Sequence, residues 1–178
     1  MFSSSECALV IMSSHVSIAK LYSLGIEPTI VNWILDFLRD RQQRVMLNGT
    51  RSSWVHVPAG CSKGTRISPW LFVAMINDLQ LLSDESFHIW KFADDTTVSE
   101  IVPPSCPSSL QQVVNEISSW SYENHLQLNS SKCKELRTCF KRSPPSYAPV
   151  ISDGLEFEQV SNAKILGVTI RQDLKWDD

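Results

Sequence analysis

The sequence predicts an α+β fold, an antiparallel sheet with helices packed on one side. Three observations carry this expectation. Apolar residues recur at helical spacing in several stretches, β-branched and aromatic runs flank two turn signals, and the two kinds of segment alternate without any internal repeat. A chain of 178 residues with 43% hydrophobic content can bury a respectable core, and residues 1–178 read as one domain.

Taken in order, residues 15–24 form a helix with Ile18, Leu21 and Leu24 inward, closed by Gly25. Pro28 starts a second helix, whose apolar face is Ile30, Val31, Ile34, Leu35 and Leu38. Residues 44–47 then read as a strand ended by Asn48-Gly49, with residues 54–57 as its hairpin partner. A loop from Gly60 opens into a third helix, with Ser68 as N-cap and Pro69 at the first helical position. Leu71, Phe72, Met75, Ile76 and Leu79 share its inner face, while Asn77 and Asp78 point away. After a strand pair around Asp94-Asp95, residues 103–107 form a proline-rich loop. Ser108 to Gln111 resembles a capping box, and Leu110, Val113, Val114, Ile117 and Trp120 fall at helical spacing. Residues 136–140 read as a strand, and Ser143-Pro144-Pro145-Ser146 breaks the chain before the run 165–170. Trp120 and Trp176 are expected as packing residues.

The chemistry concentrates in two places. Residues 89–98 read Ile-Trp-Lys-Phe-Ala-Asp-Asp-Thr-Thr-Val, so Asp94 and Asp95 sit where a hairpin turns. A tight turn holds both carboxylates at the exposed tip of a rigid ladder, and hard cations such as Mg²⁺ take carboxylate oxygens plus waters and substrate phosphates. Aspartate is also a common turn residue, because its side chain bonds its own backbone. Upstream, Gly60 and Gly64 let the backbone approach a ligand closely, with Lys63 and Arg66 adding charge beside it. Taken alone, that loop reads as an ordinary loop-to-helix connection before it reads as a binding site.

Net charge is −3, but its distribution is uneven. Residues 39–66 hold Arg39, Arg41, Arg44, Arg51, Lys63 and Arg66 against Asp40, for +5. Residues 132–142 carry +4, leaving −12 elsewhere. Two basic segments on an acidic background suit a cleft that meets phosphates, although charge alone favours an ordinary solvated surface. The five cysteines include no Cys-x-x-Cys pair and the four histidines give no zinc spacing, so reduced thiols in an intracellular, nuclear or cytoplasmic protein are expected. There is no signal peptide pattern and no apolar stretch of membrane-spanning length.

Together the two motif segments resemble the reverse transcriptase of non-LTR (LINE-type) retrotransposons. That family runs Gly-x-Pro-Gln-Gly-Thr-x-x-x-Pro-x-Leu-Phe, then Ile-Asn-Asp-Leu, then Phe-Ala-Asp-Asp. Gly60, Gly64, Thr65, Pro69, Leu71, Phe72, the run Ile76 to Leu79 and the run Phe92 to Asp95 match. Further along, Trp120-Ser121, Asn124, Leu126 and Leu128-Asn129, followed by Lys132 and Lys134, look like the family's helix and lysine-bearing turn. Ile165-Leu166-Gly167-Val168, with Leu174-Lys175-Trp176 after it, looks like the segment before the thumb. Residues 21–26 and the pattern from Trp33 to Arg41 fit upstream, so the similarity is collinear over nearly the whole chain.

The resemblance implies a partial polymerase palm, running toward the thumb, that performs nucleotidyl transfer at a primer 3′ end. An RNA template, a DNA primer and a dNTP would be its partners. Two Mg²⁺ (or Mn²⁺) ions roughly 3.5–4 Å apart would activate the hydroxyl and stabilise the leaving pyrophosphate. It assigns metal binding and catalysis to Asp94 and Asp95. Gly60, Lys63, Gly64, Thr65 and Arg66 would contact nucleotide and template, and Arg39, Arg41 and Arg44 nucleic acid. Lys132 or Lys134 would protonate pyrophosphate, although each is as readily a solvated turn lysine. Ser62 and Lys63 replace the family's Pro and Gln. The family also uses a third carboxylate, an Asp on a strand just before the first helix. Residues 1–35 contain no Asp and only Glu6 and Glu27 as acids, with Ala8 to Ile11 as the stump of that strand. The expectation is therefore a truncated copy, inactive alone, with any metal held weakly. A non-catalytic nucleic-acid-binding remnant and another metal-dependent phosphoryl-transfer enzyme are the alternatives.

Overall fold

The computed structural model describes residues 2–6, 14–57, 60, 64–80, 87–103, 106–142 and 145–175, with side chains from residue 18 onward. In chain order the elements are β1 (Phe2–Glu6), α1 (Ser14–Ser23), α2 (Pro28–Leu38), β2 (Gln42–Gln43), β3 (Met46–Leu47), β4 (Thr50–Arg51), β5 (Val55–His56) and α3 (Ile67–Ile76). There follow β6 (Phe87–Phe92), β7 (Asp95–Glu100), α4 (Leu110–Glu123), a 3-10 turn (Ser130–Lys132), β8 (Lys134–Leu136), β9 (Ile151–Ser152), β10 (Leu155–Glu156), β11 (Glu158–Val160), β12 (Asn162–Ile165) and β13 (Val168–Arg171). The α+β expectation holds. The chain divides into two compact units: one built on the main sheet, and one holding α1 to α3.

In the helical unit, Leu21, Val31, Ile34, Leu71, Ala74 and Met75 form the core, with Ile18, Ile26, Leu35, Leu38 and Ile67 packed against it. Gly25 ends α1 as expected, at φ 73°. Its N–H reaches the Tyr22 carbonyl at 2.9 Å and the Ile26 N–H reaches Leu21 at 3.2 Å, the paired bonds of a Schellman cap. Lys20 ties α1 to the end of α3, donating to the Met75 carbonyl and to Asp78 at 2.6 Å each. Three expectations fail here. Leu24 and Ile30 are exposed, because the Schellman turn and the first turn of α2 carry them past the core. Ser68 is not the N-cap: α3 begins one residue before it, and its hydroxyl pairs with Thr65 Oγ1 at 2.5 Å. Pro69 still lies within the first turn, where its missing N–H goes unneeded. Leu79 is not on the inner face of α3, since the helix stops at Ile76 and Leu79 packs in the other unit's core.

The sheet unit carries a five-stranded sheet in the order β11-β8-β1-β7-β6. All neighbours are antiparallel except β11 and β8. As the inner partner of both β6 and β1, β7 is buried from Thr97 to Glu100. Against the sheet lies α4, whose Leu110, Val113, Val114 and Ile117 are all buried, each worth roughly 1.5–3 kcal/mol on removal from water. Trp120 packs at the edge of this core, as expected, while Trp176 lies outside the described residues.

Ser108 caps α4 as expected, accepting from the Leu110 N–H at 3.3 Å, but the reciprocal half of the capping box is replaced. Ser108 Oγ donates to Glu100 at 2.6 Å, and the Ser109 N–H donates to the same carboxylate at 2.8 Å. Gln111 instead clamps the backbone of Ile151, donating to its carbonyl and accepting from its N–H at 2.8 Å each. A charged cap arriving from the end of β7 suits the positive helix terminus better than a neutral amide. The strand expected over 136–140 is β8, which starts earlier and stops at Leu136. Arg137 leaves the ladder to donate to the carbonyls of Tyr147 and Ala148 at 3.0 Å each. The run 165–170 is not continuous either, because Leu166 and Gly167, at φ 49° and 87°, turn β12 into β13.

Since Glu100 is 5% exposed, the loss of its bonds leaves buried donors unmet. Glu100→Ala is expected to lower unfolding free energy by about 1–3 kcal/mol, read as a shift in the urea midpoint at constant slope.

Candidate functional site

At the carboxylate tip, Phe92 and Asp95 are the last paired residues of β6 and β7, and Ala93 and Asp94 form the turn. Ala93 has φ 49°, while Asp94 is not in the left-handed region. That is the pattern of a II′-type hairpin, with alanine where glycine is usual. The strained backbone carries Asp94 to the exposed apex, where it makes no ion pair among the described residues. Asp95 is half-buried at the first rung of the ladder.

A strand absent from the sequence-based reading lies beside this tip. Along its whole length β1 pairs with β7, and Glu6 is the backbone partner of Asp95. Phe-Ser-Ser-Ser-Glu carries no strand signal of its own, so its position between two better strands decides its conformation. The expected stump at 8–11 lies outside the described residues, and the strand next to the carboxylates is instead residues 2–6.

Of the two candidate lysines, Lys134 is opposite Ser4 on β1, which in turn faces Thr97 on β7. Two strand spacings across and two residues along place its backbone roughly 12 Å from Asp95. Its ammonium lies 3.7 Å from Glu158. Lys132 closes the 3-10 turn that precedes β8 and lies outside the β1–β8 ladder, which ends at Lys134. Arg137, from the second basic segment, is held by Glu135 through two bonds of 2.9 and 2.8 Å, and Glu135 is 1% exposed. That arginine is a structural pair, not a surface charge.

The remaining candidates lie in the helical unit. Lys63 is outside the described residues; Gly64, Thr65 and Arg66 lead directly into α3, with Gly64 at φ 83°. Arg41 donates to the carbonyls of Leu38, at 3.1 Å, and Gly60, so it fixes the start of that loop. Arg39 and Arg44 are exposed and make no ion pair among the described residues.

Residues 13–170 match the family described as reverse transcriptase (RNA-dependent DNA polymerase). The chain belongs to that family. It is also 24% identical over 156 residues to the RNA-directed DNA polymerase from mobile element jockey of Drosophila melanogaster, a match covering 83% of this chain. The chain spans 17% of that relative's length. Both findings agree with the LINE-type resemblance of the motifs. Reverse transcriptases work with divalent cations on nucleic acid and nucleotide substrates. Asp94, exposed, and Asp95, half-buried, supply carboxylate oxygens, the donor type a hard cation takes. Among the described residues there is no cluster of three His, Cys, Asp or Glu that would hold a metal ion.

The tip also yields a stability test. Ala93→Gly is expected to stabilise the fold by about 0.5–1 kcal/mol, because relief of the left-handed penalty exceeds the extra chain entropy glycine loses. Ala93→Val should destabilise it, and chemical denaturation of the three proteins reads both changes.

Proposed function

We propose that this chain is the palm portion of an RNA-directed DNA polymerase of a non-LTR element, with Asp94 and Asp95 as its metal-binding acids. The observation that carries this reading is the position of Asp94 at the strained apex of the β6–β7 hairpin, in a chain of this family. Asp94 would take the cation directly and Asp95 would contribute from the ladder. Bound there, the ion would draw the phosphates of an incoming nucleotide toward the tip. Lys132 or Lys134 is proposed to meet the leaving phosphates, with Lys134 also lying 3.7 Å from Glu158. Gly60, Gly64, Thr65 and Arg66 are proposed to contact nucleotide and template. RNA template, DNA primer and dNTP remain the proposed partners.

Two bridged ions need an acid on a facing strand as well as the tip. The residue that β1 brings beside Asp95 is a glutamate rather than the family's aspartate. The proposal is therefore that this chain alone binds one Mg²⁺ or Mn²⁺ weakly and does not extend a primer. A primer-extension assay on an RNA template, with either metal, is expected to give no product. Extension lost in both Asp94→Ala and Glu6→Gln would overturn the inactivity and make Glu6 the third ligand. Extension that survives Asp94→Ala would overturn the assignment of the tip.

Mn²⁺ binding supplies a readout independent of activity. Paramagnetic broadening of amide resonances should centre on residues 93–96 and vanish in Asp94→Ala; broadening centred elsewhere would remove the tip from the metal site.

A further inference from the structure

We infer that the ribbon formed by β2 to β5 is a docking surface for unpaired RNA, in which Arg44 and Trp54 form a stacking platform. Every residue from 42 to 56 is exposed, so neither core among the described residues uses the ribbon. At its end, Asn48 and Gly49, with φ 49° and 80°, make a type I′ turn, so residues 46–47 pair with 50–51 rather than with the expected partner 54–57, which reaches back to 42–43.

The register sorts the side chains onto two faces. Met46 pairs with Arg51 and Leu47 with Thr50, whereas Gln43 pairs with Val55 and Gln42 with His56. Between those rungs the second strand has one extra residue, a bulge at Ser53-Trp54 facing Arg44. The bulge turns Trp54 toward Arg44, whose guanidinium carbon lies 4.4 Å from the indole centroid. One face therefore carries Gln42, Arg44, Met46, Arg51, Trp54 and His56, and the other carries Val45, Leu47 and Val55.

Charge and shape on the first face select the occupant. Arg44 and Arg51 are diagonal neighbours about 7–8 Å apart, and neither makes an ion pair among the described residues. Two like charges on one exposed face repel each other modestly through solvent, and a polyanion meets both. An arginine laid on tryptophan presents a flat cationic plane, which a nucleobase can stack on only when its own face is uncovered. Duplex stacking hides those faces, so the surface fits a single strand. The choice of RNA rests on the polymerase reading, whose template is RNA.

The test measures anisotropy of a labelled single-stranded oligouridine and of a blunt RNA duplex, with anionic phospholipid vesicles as a third probe. For Trp54→Ala and Arg44→Lys, affinity for the single strand is expected to fall by about fivefold or more, with duplex affinity changed little. Trp54→Phe should restore single-strand affinity, and Leu47→Thr on the opposite face should leave it at the parent level. Equal affinity of parent, Trp54→Ala and Arg44→Lys would overturn the inference and leave the polymerase reading standing. Equal losses on duplex and single strand, or vesicle binding abolished by Leu47→Thr with no RNA binding, would also overturn it. A parent that binds neither RNA would overturn it together with the nucleic-acid part of that reading.

Discussion

A carboxylate withdrawn from water must be met by donors, and Glu100 at the end of β7 is the clearest case in this chain. Its two oxygens accept from the Ser108 hydroxyl and the Ser109 N–H, which fixes where α4 begins. With its first turn anchored there, α4 lays Leu110, Val113, Val114 and Ile117 onto the sheet. The strand β7 thus runs between two acids of opposite circumstance: Asp95 half-buried at one end beside an exposed tip, Glu100 sealed at the other. The sealed end positions the strand, and the open end meets solvent.

The pairs that the structure closes are local in their logic but remote in sequence. Glu100 meets the start of α4 across a proline-rich loop, Gln111 meets Ile151 and Arg137 meets Tyr147 and Ala148. Each satisfies backbone groups that no ladder or helix supplies with a partner. These pairings hold the irregular stretch after β8 against α4 and the sheet without a long strand in it.

Much of this was legible because it follows from short-range patterns. The Asn48-Gly49 turn, the Gly25 cap, Pro28 at the start of α2 and the apolar face of α4 each obey a rule confined to a few residues. The Asp94 tip was legible for the same reason, and the family blocks gave it meaning. What escaped was decided at a distance. Nothing in Phe-Ser-Ser-Ser-Glu announces β1; its neighbours on both sides impose the extended form. Ser68 and Gln111 have the right identity for caps, yet Thr65 and Ile151 engage them first. Leu79 has helical spacing from Leu71 but lies beyond the end of α3.

The outer strand of the sheet has a bearing on how this chain behaves among copies of itself. Among the described strands, β6 pairs only with β7, so it forms an edge of the sheet over six residues. His88, Trp90 and Phe92 alternate outward along it, while its one cation, Lys91, turns inward to the Leu79 carbonyl at 3.0 Å. Proline, a bulge or an outward lysine would guard such an edge, and β6 has none of them. The strand is thus a ready template for β-addition from solution.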